Sequence, residues 1–288
     1  MPRPPQIPVR KSQAIGRAAA PQPQAKLAAL FKQGLSLHQQ GQLAQAKQIY
    51  AQVLALQPVH FDALHLSGVI ALQSKNPALA VELIGKAIEI KPDFAEAYSN
   101  RGNALKELKR FEEAIDSHDR AIEIKPDFAA AYYNRGIALK ELKRLEEAID
   151  SYDRAIEIKP DYADAYYNRG NALKELKRLE EALSSYDRAI EIKPDYADAY
   201  YNRGLALQEL KRLEDAVASY DRAIELRPDY EYLLGNQLHT KMKICDWQDF
   251  EANIENLLLR IGEGVILPFC KGRRSRNVTQ PWPTAAWV

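Results

Sequence analysis

The residue types that do covalent or metal chemistry are thin in this sequence. Two cysteines, Cys245 and Cys270, and five single histidines are too few and too scattered for a four-ligand zinc site or a disulfide framework. Nothing along the chain pairs a nucleophile with a base. What recurs instead is an amide: Asn100, Asn134, Asn168 and Asn202 fall 34 residues apart. An amide presents donor and acceptor together, so one at each regular step can pair with the backbone of an extended peptide whatever its side chains. Asn103 and Asn171, three residues further on, and Tyr133, Tyr167 and Tyr201, one residue before, add hydrogen bonds and flat apolar contact. The chemistry expected is recognition, with no cofactor and no metal. The plainer alternative is a solvated stripe. As exposed side chains, the asparagines should be replaceable at about 0.5 kcal/mol or less each.

The elements that position these residues follow from the same period. Six copies of 34 residues fit without a gap, at 27–60, 61–94, 95–128, 129–162, 163–196 and 197–230, and the copies at 129 and 163 agree at 30 of 34 positions. Within each copy two stretches of helical apolar spacing flank a short break, which predicts an antiparallel helix pair, A then B. The eighth position is always Gly (Gly34, Gly68, Gly102, Gly136, Gly170, Gly204) and the twentieth always Ala, and small residues facing each other would let the pair approach closely. Tyr132, Tyr152, Tyr166 and Tyr186 are expected to fill the space between neighbouring hairpins. A proline ends each copy and stops helix B. The Asp after it in Asp93–Glu96, Asp161–Asp164 and Asp195–Asp198 is placed as a helix N-cap, with the second acid completing the cap.

These residues, among them Tyr166-Tyr-Asn-Arg-Gly170-Asn-Ala-Leu173, Ala182, Tyr186, Ala189 and Pro194, resemble the tetratricopeptide repeat (TPR) over 27–230. The resemblance implies an all-α fold, a right-handed α-solenoid of helix-turn-helix TPR hairpins, with the A helices lining a concave wall. It sends positions two, five, six, nine, twelve and thirteen of each copy onto that wall. Two departures stand out. Arg101, Arg135, Arg169 and Arg203 occupy a position often apolar in the family, where the stems should pack while the guanidinium reaches water or a carboxylate. Lys109, Lys143, Lys177 and Lys211 stand where the family often turns at Gly, and only Gly41 keeps it. Lys106, Lys140 and Lys174, each followed by Glu, read as a solvated edge of alternating sign. His118, where the next copies have Tyr, reads as a core substitution. A carboxylate clamp for chaperone tails would want Lys where Ser99, Tyr133, Tyr167 and Tyr201 stand.

After Tyr230 the period fades, and 231–269, with Leu234, Leu238, Phe250, Ile254 and Leu257, is expected to form a degenerate capping hairpin. Tyr232-Leu-Leu-Gly-Asn236, Ile244-Cys-Asp-Trp-Gln-Asp-Phe250 and Pro268-Phe269 are similar to the junction after the repeats in bacterial O-linked N-acetylglucosamine transferases. That resemblance implies that Asn100, Asn134, Asn168 and Asn202 grip an acceptor polypeptide. The catalytic region of that family is not in this chain, so no catalytic residue carries over; the expected function is a non-enzymatic peptide-binding scaffold, and the change of character after Phe269 leaves as the alternative the recognition arm of a truncated or frameshifted enzyme.

The 40 basic and 39 acidic residues give a net charge of +1, but 1–61 and 271–288 carry no acid, which leaves 62–270 at −10. An acidic centre argues against a nucleic-acid groove. No run of about 18 apolar residues is present and no secretory signal opens the chain, so no membrane partner is expected and the compartment expected is the cytoplasm. The Pro-rich leader 1–26 and the basic tail 270–288, with Asn277-Val-Thr279, Trp282 and Trp287, are expected to be disordered. The partner expected is a protein or peptide in extended conformation. Association with a second copy is compatible with such a stack.

Overall fold

The computed structural model describes residues 23–229 and 233–247, together with Ile254. Among the described residues every regular element is a helix, in two compact units divided after Pro92. The first unit holds α1 (Pro23–Gln39), α2 (Leu43–Leu56), α3 (Phe61–Gln73) and α4 (Pro77–Ile90). α1 pairs with α2 and α3 with α4, and α2 packs on α3 around Ala46, Tyr50 and Ile70. The second unit holds α5 (Ala95–Glu107), α6 (Phe111–Ile124), α7 (Ala129–Glu141), α8 (Leu145–Ile158), α9 (Ala163–Glu175), α10 (Leu179–Ile192), α11 (Ala197–Glu209), α12 (Leu213–Leu226) and α13 (Leu233–Lys243). Its helices pair as hairpins α5–α6 to α11–α12, and each B helix packs on the next A helix. The A helices α5, α7, α9 and α11 also touch in succession, so they form one continuous wall.

The break between A and B is built by the backbone. The N–H of Lys109 donates to Lys106 O (2.9 Å) and that of Arg110 to Leu105 O (2.9 Å), and the same pair recurs at Lys143/Arg144, Lys177/Arg178 and Lys211/Arg212. This Schellman turn requires a left-handed residue, usually Gly. Here Lys75, Lys109, Lys143, Lys177 and Lys211 hold φ between 59° and 63°, Cys245 takes 56°, and Gly41 takes 74°. Helix B ends because the residue before each proline is forced out of the helical region; Lys125, for example, sits at φ −134°, ψ 87°.

Two local expectations are corrected. The A helices of the second unit are not capped by Asp: the N-cap residues are Phe94, Phe128, Tyr162 and Tyr196, with no side-chain cap bond. Asp127, Asp161 and Asp195 contribute only their carbonyls, to the N–H groups of Ala129, Ala163 and Ala197. The second acids instead tie the start of helix A to the far end of the same 34-residue copy. Lys125 donates to Glu96 (3.3 Å), the Tyr196 hydroxyl to Asp164 (2.9 Å) and Arg227 to Asp198 (3.1 Å). The eighth-position glycines of the second unit do not face the alanines but the B-helix aromatic of their own hairpin, whereas Gly68 faces Ile84 and the Ala80 carbonyl. A Cβ on Gly136 would lie 2.6 Å from the Tyr152 ring, on Gly170 2.6 Å from Tyr186 and on Gly204 2.5 Å from Tyr220. Tyr152 and Tyr186 are therefore buried within their own hairpins, not between neighbours, while the Arg154 guanidinium lies 5.9 Å over the ring of Tyr132.

Three of the four arginines at the seventh position, Arg135, Arg169 and Arg203, reach a carboxylate as expected, with the partners now specified. Arg135 Nε donates to Asp119 (2.5 Å) in the preceding hairpin and Nη1 to Ser151 (2.7 Å) in its own; Arg169 does the same with Asp153 and Ser185, and Arg203 with Asp187 and Ser219. At the C-terminal end, α13 packs on α12 with Leu233, Leu234 and Leu238 buried. The expected leader up to residue 22, Tyr232, Phe250 and Leu257 of the capping hairpin, Pro268, Phe269, Cys270, the Asn277–Thr279 pattern, Trp282 and Trp287 lie outside the described residues.

Candidate functional site

On the wall of A helices in the second unit, the fifth and sixth positions of neighbouring hairpins are joined. The Asn168 amide donates to the Tyr133 hydroxyl (3.1 Å) and to the backbone carbonyl of Asp164 one turn back (3.0 Å). Asn202 donates to Tyr167 (3.0 Å) and to Asp198 O (3.1 Å), and Asn236 donates to Tyr201 (2.8 Å). Asn168 and Asn202 thus each spend both N–H groups inside the protein, and all three asparagines fix the ring of the preceding hairpin. The rings themselves are wedged: Tyr133 lies 4.8 Å from Tyr162 and 6.1 Å from Tyr152, and Tyr167 lies 4.9 Å from Tyr196 and 6.2 Å from Tyr186. Burial pushes the phenols of Tyr133, Tyr167 and Tyr201 up, so they stay protonated at any physiological pH.

The asparagines are therefore not a bare stripe, and the expectation that they could be replaced without cost holds only where this clasp is missing. It is missing at Asn134. The residue 35 positions before it is Ser99, not a tyrosine, and the Asn134 amide makes no hydrogen bond. Asn100 is half-buried at the first step of the wall. The ninth-position amides also differ from each other: Asn171 Oδ1 accepts from the Tyr186 hydroxyl (2.9 Å), whereas Asn103 Oδ1 is buried with no partner.

The lysine row departs from its expected solvated state. Lys174 is half-buried and donates to Asn202 Oδ1 (2.6 Å), and burial lowers its pKa. The glutamates beside the row are taken by the turn lysines, Glu175 by Lys143 (2.5 Å) and Glu209 by Lys177 (2.7 Å). The wall of α5, α7 and α9 therefore presents amides, phenols and ammonium groups, with Glu96, Asp164 and Glu175 engaged at the hairpin ends. Sequence reasoning missed the clasp, although its signal was present as a Tyr at one hairpin's fifth position and an Asn 35 residues later.

Elsewhere the second unit offers a groove of about 340 Å³ lined by both signs of charge, including Glu180, Asp187, Arg203 and Arg212. A smaller pocket, about 130 Å³, lies against Tyr98, Arg101, Glu113, Asp116, Ser117 and Arg120. Arg101 Nε has no partner there; where the other arginines find Asp sixteen residues back, the sequence has Gly85. Among the described residues no group of three His, Cys, Asp or Glu could hold a metal, and no helix is long and apolar enough to cross a membrane.

Profiles of the TPR repeat and the tetratricopeptide repeat match residues 31–93, 83–116, 102–143, 138–177, 170–211 and 197–230, end to end over the hairpins. The chain belongs to the tetratricopeptide repeat family. Among solved structures, this TPR chain is similar to MamA at 28% identity and TM-score 0.54, covering 57% of this chain and 96% of that one. It is similar to YrrB, described as a TPR protein with an unusual peptide-binding site, at 24% identity and TM-score 0.56 over 67% and 97% of the two chains. Pseudomonas aeruginosa PilF matches at 20% identity and TM-score 0.63 over 80% and 98%. No curated protein matches the chain. At such identities YrrB and PilF show the fold alone, and the tyrosine–asparagine clasp stands on this chain's own geometry.

Proposed function

We propose that this TPR protein is a non-enzymatic interaction scaffold whose A-helix wall, from α5 to α11, takes an extended segment of a partner protein. The observation that carries this reading is the polar capacity left on the wall once the clasps are made. The Asn134 amide has no hydrogen bond to a described residue, Asn103 Oδ1 is an orphan acceptor, and Tyr133 accepts from asparagine while keeping its own proton. Buried or half-buried polar groups without partners are costly alone and are satisfied by a ligand that brings its own backbone donors and acceptors. Asn100, Asn134, Asn168, Asn202, Asn103, Asn171, Tyr133, Tyr167 and Tyr201 are the residues proposed to line the contact. YrrB's description as a peptide-binding TPR protein is consistent with this use of the fold. The test is a random peptide library selected against the full chain. Enriched peptides should lose affinity when Asn134 becomes Ala, and a library that yields no binder, or binders indifferent to Asn134 and Tyr167, refutes the reading.

A second reading rests on Cys245-Asp246-Trp247, which follows α13 directly. Cys245 takes the left-handed turn position and Trp247 stands 55% exposed. In that reading the wall is the substrate-recognition arm of an O-GlcNAc-transferase-like enzyme. It predicts that selected peptides are rich in serine and threonine, whereas the scaffold reading makes no such demand.

A further inference from the structure

At the seventh position of the A helices, three arginines of the second unit are used alike and the fourth is not. Arg135, Arg169 and Arg203 each donate from Nε to an aspartate of the preceding hairpin (2.5, 2.6 and 2.6 Å) and from Nη1 to a serine of their own B helix (2.7 Å in each). Those serines donate in turn to the carbonyl one turn back, Ser151 to Glu147 O (2.8 Å), Ser185 to Glu181 O (3.0 Å) and Ser219 to Asp215 O (2.9 Å). Each guanidinium is thus held between a carboxylate and a hydroxyl. Arg101, on α5, has the serine in register as Ser117 on α6, but the residue sixteen before it is Gly85, which has no carboxylate to offer. Its Nε is enclosed without a hydrogen bond. Unlike the other three, Arg101 makes no ion pair among the described residues.

Arg101 lines the pocket of about 130 Å³ that α5 and α6 form, together with Tyr98, Glu113, Asp116, Ser117 and Arg120. Most of the charge around it is already engaged. Glu113 is held by both ends of the Arg110 guanidinium (2.6 Å each), and Arg120 is bonded to Glu123 (2.6 Å) and to Tyr98. Arg101 is left as the pocket's cation without a bonded counter-charge, with Asp116 exposed at the rim. A guanidinium keeps its charge at any physiological pH. When half-buried, it is stabilised by an anion that brings the bonds its surroundings do not supply. The three bonded arginines show which anion suits this position: a carboxylate, whose planar oxygens match the guanidinium fork. Glu113 and Asp116 limit the charge of the occupant, because they repel a dianion more strongly than a monoanion.

We propose that the pocket between α5 and α6 is a binding site for a single carboxylate, which accepts hydrogen bonds from the Arg101 guanidinium and the Ser117 hydroxyl. The carboxylate is either free in solution or carried on the side chain of a second protein; the recognising chemistry is the same. The site shares no residue with the asparagines and tyrosines proposed to hold a peptide, and it stands or falls without them. It turns the one copy of the second unit that lacks an aspartate partner into the place where an external acid completes the arrangement its neighbours make internally.

The test uses the full chain. Sodium acetate replaces sodium chloride at constant ionic strength while the arginine Nε–H groups and the Ser117 backbone amide are followed by NMR. Acetate should shift Arg101 and Ser117 saturably and leave Arg135, Arg169 and Arg203, already bonded to aspartate, in place. Arg101→Gln, read at Ser117, should weaken acetate binding roughly 10- to 100-fold, the worth of a charged hydrogen bond. Asp116→Asn, which removes the repulsion at the rim, should tighten it about 1.5- to 5-fold. Ser117→Asp places a carboxylate beside Arg101 within the chain and should abolish the acetate response; if that variant does not fold, Arg101→Gln and Asp116→Asn decide the matter. Capped aspartate, with both its backbone ends blocked, separates the two sources. A response like that to acetate admits a protein-borne carboxylate, and a response to acetate alone assigns the site to small free carboxylates. No saturable shift at Arg101, equal shifts at the three bonded arginines, or unchanged binding in Arg101→Gln overturns the site. Inorganic phosphate binding more tightly than acetate overturns its assignment to a carboxylate.

Discussion

Adding one methyl group at two glycines should change stability in opposite directions. Gly136 and Gly85 both lie inside helices, α7 and α4, so Ala at either gains helix propensity of about 1 kcal/mol. At Gly85 a Cβ meets nothing within 4 Å, and Gly85→Ala should stabilise by roughly that amount. At Gly136 the new Cβ would sit 2.6, 2.8 and 3.0 Å from Cε1, Cδ1 and Cζ of Tyr152, a fully buried ring with no free end to swing away. Overpacking of this kind costs about 1–3 kcal/mol. Gly136→Ala should therefore be neutral to about 2 kcal/mol destabilising, and the difference between the two variants, about 1–3 kcal/mol, isolates the packing cost. Repeat stacks need not unfold as one unit, so the assay is amide hydrogen exchange read separately for α7–α8 and for α3–α4. A double-mutant cycle supplies the control: in a Tyr152→Leu background the added methyl group has room, and Gly136→Ala should become as favourable as Gly85→Ala. Equal gains at both glycines in the wild-type background would refute the account of why the eighth position is Gly.

Three further outcomes follow from the same geometry. Lys109→Gly relieves a non-glycine residue held at φ 59°; the relief of about 1–2 kcal/mol less the greater chain entropy of Gly, about 0.5–1 kcal/mol, predicts a small rise in the melting temperature. Burial pushes His118 down to about 3 from an ordinary 6.5, so the folded protein holds it neutral while the unfolded chain takes up a proton below 6.5. The stability attached to it is complete above about pH 6.5 and falls towards pH 3, by at most about 1.4 kcal/mol per pH unit. His118→Tyr, whose hydroxyl can reach Asn103 as Tyr186 reaches Asn171, should raise stability and flatten its slope between pH 6.5 and 4; an unchanged slope by denaturant melts counts against the burial argument. Asn168→Ala orphans the Tyr133 hydroxyl and should cost about 1 kcal/mol, whereas Asn134→Ala should cost less than about 0.5 kcal/mol; equal losses in urea titrations would show that the clasp carries no stability.

The period, the helix pairs and the family are written in the sequence, because a hairpin that repeats every 34 residues buries its faces only against copies of itself, and local spacing suffices to say so. The amides at the sixth position were likewise legible as a row on one wall. What they do was not. Whether an asparagine is solvated or already bonded depends on a tyrosine 35 residues away, and whether an Asp caps a helix depends on a backbone angle that places Phe94 or Tyr162 at the cap instead. The same holds for Lys174, which the alternation of sign placed on a solvated edge and packing gave to Asn202. Sequence determines the repeating element because helix periodicity is local; only the stacking of one hairpin on the next decides which polar groups are consumed. In the hairpin of α5 and α6, Asn103 Oδ1 and both ring nitrogens of His118 are left over.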